Sequence, residues 1–296
     1  MEALEVVVRR GSVVEARHRF HAVAVRDGEV VAQAGDPGLV AFLRSSSKPL
    51  QALPLARARE DLDERDLAIA SASHRAEPPQ LEAVRRLLAK APAREKELEC
   101  GLQDGRPRDP LHHNCSGKHA GMLALCRAHD WRSEGYRHEG HRVQRAMLAV
   151  HAEAADVDAD TIPTAVDGCG VVTFALDLER TAHAFGRLEG LRGGRRVAAA
   201  MRAHPELVGG AGQTDTELMR ALPGWIAKGG AEGLLCAAAP DGLGVALKSE
   251  DGIGRGQRPA LAAFLRPLGL ELPDDFARVP VRNAHGEVVG EIVSNA

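Results

Sequence analysis

The N-terminal part of the chain alternates apolar and polar residues in the manner of β-strands. Residues 4–34 contain valine-rich runs that are broken by the turn signals Arg10-Gly11 and Asp27-Gly28. Short alternating runs joined by such dipeptides predict antiparallel strands.

The last third of the chain returns to the same pattern. One pair of apolar runs flanks Asp241-Gly242, and a second pair flanks His285-Gly286. Each arrangement is typical of a β-hairpin, so strands are predicted near both ends of the sequence.

The middle of the chain repeats its apolar residues at helical spacing instead. In residues 77–91 the apolar positions 81, 84, 87 and 88 share one helix face, behind an acidic and proline-rich start. Similar patterns predict helices over residues 48–60, 117–130, 141–156, 173–185, 194–208 and 258–266.

Strands at both ends with helices between them indicate an α+β architecture rather than alternating βαβ units. We predict one domain over residues 1–296, with an antiparallel sheet built from about 1–45 and 230–296. A mainly helical part of about residues 46–229 is inserted into that sheet.

Composition excludes several classes of function. Apolar residues make up 44% of the chain, charged residues 27% and aromatic residues 3%, with a net charge of −3. No basic stripe points to nucleic acid or to a membrane surface, and no apolar run is long enough for a transmembrane helix. The sequence shows no secretion-signal pattern, and its five cysteines are an odd number. We therefore expect reduced thiols and a cytoplasmic location.

Lysine is scarce in this chain, since only six of the 38 basic residues are lysines. Lys48, Lys118 and Lys248 stand beside small residues and glycines. A lysine amine can lose its proton or bind a metal, whereas a guanidinium cannot, so these three are candidates for chemistry. The alternative is that GC-rich coding leaves a few lysines by drift.

Two serine motifs can supply a nucleophile. Ser45 and Lys48 form a Ser-x-x-Lys pattern, in which a helical turn would place a hydroxyl beside a base. Ser73 precedes His74 just before a helix start. The alternatives are a serine-capped helix with an exposed lysine at the first motif and a capping residue at the second.

The segment "NCSGKHAGM" places Cys115 three residues before Lys118, and Cys169 lies between glycines in "VDGCGVV". Two thiolates and one further donor suit zinc, although a lysine ligand must be deprotonated to bind. The alternative is a pair of small buried hydrophobes.

Lys248 follows an apolar strand, either as a cleft-facing lysine or as a charge that protects a sheet edge.

Taken in order, these motifs resemble the asparaginase II family, whose Rhizobium etli-type members are the class 3 L-asparaginases. The resemblance runs from about residue 4 to residue 292 and rests on the motifs "RSSSKPLQ", "SASHRAEP", "NCSGKHAGM", "DGCGVVTFAL", "HPELVGGAGQTDTELM", "GAEGLLCAAAPDGLGVALKSEDG" and "GEVVGEI". It implies a fold like that of the serine β-lactamases and glutaminases.

The resemblance also implies the roles of individual residues. Two Ser-Lys pairs, Ser45 with Lys48 and Ser73 with Lys248, would be catalytic. The zinc ligands would be Cys115, Lys118 and Cys169. The residues implied to line or support the substrate pocket are Arg44, His74, Asn114, Lys118 and Asp167.

The activity implied is hydrolysis of L-asparagine to aspartate and ammonia through a serine acyl-enzyme, with Ser45 favoured as nucleophile and Ser73 as the alternative. Zinc is expected to aid substrate binding without being essential for turnover, and the implied oligomer is a homodimer. Two other interpretations stay open: an amidohydrolase for glutamine, a β-lactam or a peptide amide, and a non-enzymatic zinc-thiolate protein.

Overall fold

The computed structural model describes residues 2–295 and contains two antiparallel sheets and a set of mostly short helices. The strands are β1 (Leu4–Arg10), β2 (Val13–Arg26), β3 (Glu29–Ala34), β4 (Val40–Phe42), β5 (Thr164–Val166), β6 (Val172–Asp177), β7 (Ile226–Gly229), β8 (Leu234–Ala238), β9 (Gly244–Ser249), β10 (Arg278–Arg282) and β11 (Val288–Ser294).

The α-helices are α1 (Lys48–Gln51), α2 (Leu53–Ala58), α3 (Glu64–Ala70), α4 (Pro78–Lys90), α5 (Ser116–Ala128), α6 (Arg142–Ala155), α7 (Leu178–Arg187), α8 (Gly194–Ala203), α9 (Pro205–Val208), α10 (Thr214–Ala221), α11 (Gln257–Leu265) and α12 (Asp274–Ala277). No helix of the described residues is long and apolar enough to cross a membrane.

The larger sheet joins the two ends of the chain, as the strand pattern predicts. Its order is β10-β11-β1-β2-β9-β8-β7, and β3 pairs with β2. The first strand lies between the last strand and the second, with Val7 opposite Val293 and opposite Arg17. The α+β architecture with an antiparallel sheet from both chain ends is therefore confirmed.

The predicted helix over 173–185 is wrong in its first part. Residues Val172–Asp177 form β6, the central strand of a second sheet with the order β4-β6-β5. Five consecutive residues of this strand are buried, because it is covered on both faces, so its apolar run does not show the alternation typical of a half-exposed strand. The Asp177 side chain then accepts a hydrogen bond from the Arg180 amide and caps α7.

The larger sheet also begins earlier in the C-terminal half than predicted. Strand β7 starts at Ile226 and includes Lys228, ahead of the expected boundary at residue 230. Its Ile226, Ala227 and Lys228 are buried. This shift of a few residues places a lysine of the supposed helical part inside the sheet.

Helix α7 packs across β2, β8 and β9 at very short range. A methyl group added to Gly244 would lie 1.9 Å from the Ala182 carbonyl oxygen and 2.6 Å from the Gly186 amide nitrogen. The contact therefore requires glycine at this position, and it fixes the distance between helix and sheet.

Gly244→Ala is expected to lower the free energy of unfolding by about 1–3 kcal/mol, because the added methyl group must push α7 away from the sheet. Urea denaturation of this variant and of Gly140→Ala measures the difference. Gly140 has no heavy atom within 4 Å of an added Cβ, so the control should stay near wild type. Equal stability of Gly244→Ala and wild type would contradict this account of the packing.

Candidate active site

A strained turn presents Ser45 after the end of β4. Arg44 has a φ of 49°, in the left-handed region that residues other than glycine rarely adopt. The chain then forms a short 3-10 helix over Arg44–Ser47 and continues into α1. Backbone strain of this kind is maintained only by surrounding contacts and is common at functional sites.

Lys48 has no exposed surface, although it carries an amine. Its Nζ donates a hydrogen bond to Ser73 Oγ at 2.8 Å. Burial lowers the pKa of Lys48 from 10.5 to about 8, and the nearby Lys118 and Lys228 amines also lower it, against an opposing contribution from Cys115. Lys48 follows Ser45 by one turn, as the Ser-x-x-Lys pattern predicts, but the serine to which its amine is hydrogen-bonded is Ser73.

Two carbonyl groups hold the segment that carries Ser73. The Ser73 amide donates to the Val208 carbonyl at 2.8 Å, and the His74 amide donates to the Asn114 carbonyl at 3.1 Å. The segment is thus fixed between α9 and the start of α5.

His74 uses both of its ring nitrogens within the protein. Its Nδ1 accepts from the Ala76 amide at 3.1 Å, and its Nε2 lies 2.8 Å from Ser116 Oγ. Ser116 donates its own proton to the Leu111 carbonyl, so the network assigns the ring proton to Nε2. Burial, together with the Lys48 charge, lowers the pKa of His74 to about 3. The imidazole is therefore neutral and stabilises the Ser73 segment.

The structure does not form the predicted Ser73–Lys248 pair. Lys248 lies on β9 opposite His21 and Leu234, half-buried, and its amine donates to the Ser249 carbonyl. The Ser73 hydroxyl is instead bonded to Lys48. The assignment of Lys248 was wrong because the pairing of distant strands, which the local sequence does not encode, decides which lysine faces the serines.

Lys228 of β7 is the strand lysine that lines the cavity with the serines, and the sequence analysis missed it. It is 1% exposed, and its Nζ lies 2.9 Å from Asp215 Oδ2. Burial opposes ionisation of Asp215, but Lys228 and the amides of Gly229 and Thr216 outweigh it and keep the pKa of Asp215 below its ordinary value. One sequence feature could have identified Lys228: it stands directly before two glycines in a chain with only six lysines.

The two cysteines and the lysine of the predicted zinc site converge. Cys115, Lys118 and Cys169 are each at most 4% exposed, and Lys118 Nζ donates to Cys169 Sγ at 3.1 Å. A hydrogen bond from Cys169, with the Lys48 and Lys118 amines, holds the pKa of Cys115 well below its usual value despite burial. The two sulfurs in turn raise the pKa of Lys118 against the effect of its burial.

The donor set fits a thiophilic metal ion only if the lysine takes part. No group of three or more His, Cys, Asp or Glu side chains in residues 2–295 could hold a metal. Two thiols and an amine remain as the available donors. Metal binding would displace the protons from all three.

The cluster is surrounded by further polar residues. Arg44 forms an ion pair with Asp167, and Asp167 Oδ2 lies 3.7 Å from Cys169 Sγ. His119, next to Lys118, accepts or donates a 2.7 Å hydrogen bond at Nδ1 with the Tyr136 hydroxyl. Arg44 and Asp167 thus form one wall of the cluster of Cys115, Lys118 and Cys169.

The two serines line one cavity of about 450 Å³. Of the residues predicted to bind substrate, His74 and Asn114 line this cavity, whereas Lys118 belongs to the thiol cluster and Arg44 and Asp167 lie beside it. The lining residues are Ser45, Ser73, His74, Arg75, Arg106, Asn114, Gly209, Gln213, Thr214, Asp215, Lys228, Gly229, Gly230, Ala231 and Gln257.

Among the residues that line the cavity, the backbone amides of Ser45, Thr214, Asp215 and Ala231 have no hydrogen-bond acceptor in the described part of the chain. Gly230 packs tightly against the turn that carries Ser45, because an added Cβ would lie 2.9 Å from the Leu43 carbonyl oxygen. Ser46 Oγ also donates to the Lys228 carbonyl at 3.1 Å. The end of β7 and the Ser45 turn are therefore in direct contact.

The chain is similar to several known proteins. Among solved structures the chain is similar to Mglu in its native form, at 17% identity and a TM-score of 0.49, over 86% of this chain and 65% of that one. It is also similar to a β-lactamase from Mycobacterium bovis, at 15% identity and a TM-score of 0.33, over 79% of this chain and 88% of that one. The chain thus spans 65% of the length of Mglu.

Among curated proteins, none matches this sequence. The family model described as L-asparaginase II matches residues 6–294, which is nearly the whole sequence. The chain therefore belongs to the L-asparaginase II family.

Proposed function

We propose that this protein is an L-asparagine amidohydrolase that forms an acyl-enzyme on Ser45 and releases ammonia and aspartate. Membership of the L-asparaginase II family supports amide hydrolysis in general. The single observation that carries the mechanism is the fully buried Lys48 amine, bonded to the Ser73 hydroxyl in a cavity that Ser45 shares. An amine with a pKa of about 8 can act as a base near neutral pH.

Ser45 is the better nucleophile of the two serines. Its backbone amide is unpaired, and so is that of Ala231, which follows the glycine that packs against the Ser45 turn. Two such donors can stabilise the oxyanion that develops when the serine oxygen attacks the side-chain amide carbon. The Ser73 amide is already committed to the Val208 carbonyl and cannot contribute in this way.

The proton moves through the Lys48–Ser73 contact. The proton of the Ser45 hydroxyl passes through the Ser73 hydroxyl to neutral Lys48 as the Ser45 oxygen adds to the amide carbon. The ammonium of Lys48 then returns a proton through the Ser73 hydroxyl to the leaving nitrogen, so that ammonia departs. Water next attacks the ester carbon with the same groups as base and acid, and aspartate leaves.

Lys228 and Asp215 take the place that the sequence analysis gave to Lys248. Their buried ion pair joins α10 to β7, and Asp215 also accepts from the Gly229 amide at 3.0 Å. This fixes the strand end from which the Ala231 amide projects. The positive charge of Lys228 further disfavours protonation of Lys48.

We also propose that Cys115, Lys118 and Cys169 hold zinc, which is the metal that two thiolates and a nitrogen donor favour. Bound zinc would supply a fixed positive charge beside Lys48 and a Lewis acid for substrate oxygen atoms. The chain itself supplies the nucleophile and the base, so the metal is expected to support binding and structure rather than the bond-breaking step.

Ser45→Ala is expected to lower kcat on L-asparagine by about ten-thousand-fold, since it removes the nucleophile. Ser73→Ala should cost about a hundredfold or more, since it removes the proton carrier. Ammonia release is measured with L-asparagine, L-glutamine and a chromogenic β-lactam, and acid-quenched enzyme is examined by mass spectrometry for an aspartyl ester on Ser45.

Ser71→Ala is the matched control, because its hydroxyl is bonded to the Leu67 carbonyl away from the cavity. It should retain activity near that of wild type. Full activity of both Ser45→Ala and Ser73→Ala would refute the mechanism, and an ester on Ser73 would refute the assignment of the nucleophile. Faster turnover of another substrate would place the protein among glutaminases or β-lactam hydrolases.

Cys115→Ala and Cys169→Ala are each expected to abolish zinc binding and to lower the melting temperature of the zinc-loaded protein. Elemental analysis should find about one zinc per wild-type chain. Cys126→Ala, on the same helix as Lys118 but outside the cluster, should keep its zinc. The proposed site is wrong if the two cluster variants retain zinc at the wild-type ratio. If removal of zinc abolishes turnover at saturating substrate, the metal is essential for the chemical step.

A further inference from the structure

The cavity contains two guanidinium groups that the hydrolytic mechanism does not use. Arg75 and Arg106 line it together with the two serines. The other charged side chains of the lining, Lys228 and Asp215, neutralise each other in a buried ion pair. The cavity is therefore left with positive charge that faces its contents.

Arg106 is held in place by neutral groups. Its Nη1 donates to the His112 carbonyl at 3.0 Å and to the His74 carbonyl at 3.3 Å. Within residues 2–295 no carboxylate lies within ion-pair distance of Arg106, and its Nε and Nη2 have no acceptor. The orientation of the Arg106 side chain is thus fixed by backbone carbonyls, while its N–H groups at Nε and Nη2 stay free to bind a ligand.

Arg75 adds a second positive charge at the same wall. Its only acidic partner among the described residues is Glu77, at 3.9 Å, and about half of each side chain is exposed. Exposed ion pairs at this distance have little electrostatic free energy, so Glu77 compensates the positive charge of Arg75 only weakly. Burial and the proximity of Arg75 lower the pKa of Arg106, which means that the two cations repel each other in the absence of an anion.

Arg44 does not contribute positive charge to the cavity. It is paired with Asp167 on the thiol-cluster side and is absent from the cavity lining. The free guanidinium of Arg106, in contrast, contacts the carbonyl of His74, the residue directly after Ser73. A group bound by Arg106 would therefore lie in the cavity that the two serines line.

We propose that Arg106, assisted by Arg75, binds the α-carboxylate of the substrate and selects amino-acid amides over simple amides. This inference rests on the proposed amidase function. In asparagine only a methylene and a methine carbon separate the scissile amide from the α-carboxylate, which matches an anion site beside the serines. The planar fork of arginine binds carboxylates with two parallel hydrogen bonds, and lysine cannot reproduce that geometry.

The test compares L-asparagine with 3-aminopropanamide, which has the same amide and amine but no α-carboxylate. Arg106→Met should lower kcat/KM for L-asparagine about 10- to 100-fold, mainly through KM, and leave that for 3-aminopropanamide nearly unchanged. Arg106→Lys should recover part of the loss. Arg75→Met should show a smaller loss with the same selectivity.

Arg108→Met is the matched control, since Arg108 belongs to the same loop, is exposed and does not line the cavity. It should behave as wild type on both amides. An equal loss on both amides in Arg106→Met would show that the arginine only supports the loop, and it would overturn the inference.

A binding experiment separates this inference from the proposed hydrolysis. Calorimetry should detect L-aspartate binding to wild type, weaker binding of β-alanine, and loss of that difference in Arg106→Met. If the wild type hydrolyses neither amide but shows this pattern, the hydrolase proposal fails and the carboxylate site stands. If Arg106→Met binds L-aspartate as tightly as wild type, the carboxylate site is refuted.

Discussion

Removal of the Lys48 ammonium from water is the interaction on which the rest of the site depends. A charged amine without exposed surface is unfavourable, and the group responds by releasing its proton more readily. Among the described residues, Ser73 Oγ is the one hydrogen-bond partner of the amine, while the nearby Lys118 and Lys228 amines add like charge. With a pKa of about 8, roughly one Lys48 in ten is neutral at pH 7, which is enough to provide a base.

The fold surrounds this amine with elements from distant parts of the chain. The Ser45 turn follows β4, the Ser73 segment is held between two carbonyls, and β7 brings Lys228 and the Ala231 amide against the turn through Gly230. Backbone hydrogen bonds, close packing and a buried ion pair make these contacts, so the protein itself positions the groups of the site. Such preorganisation is what stabilises a transition state without reorganisation during the reaction.

The sequence predicts the parts of this site that depend on local patterns. The terminal strands, most helices, the Ser45–Lys48 spacing and the grouping of Cys115, Lys118 and Cys169 follow from periodicity and motif. The failures are all long-range: β6 looks helical because it is buried on both faces, and the motifs miss Lys228 because strand order decides which lysine lines the cavity. The Lys48–Ser73 bond joins residues 25 positions apart, and no local pattern encodes it.

The ionisation of Lys48 can be measured directly. Lysine labelled with ¹³C and ¹⁵N gives few side-chain signals in a protein with six lysines, and Lys48→Met assigns the signal of interest. Titration followed by NMR is predicted to give a pKa of about 8 for this amine. A value at or above the ordinary 10.5 would mean that Lys48 stays charged at neutral pH, and it would contradict its role as the base.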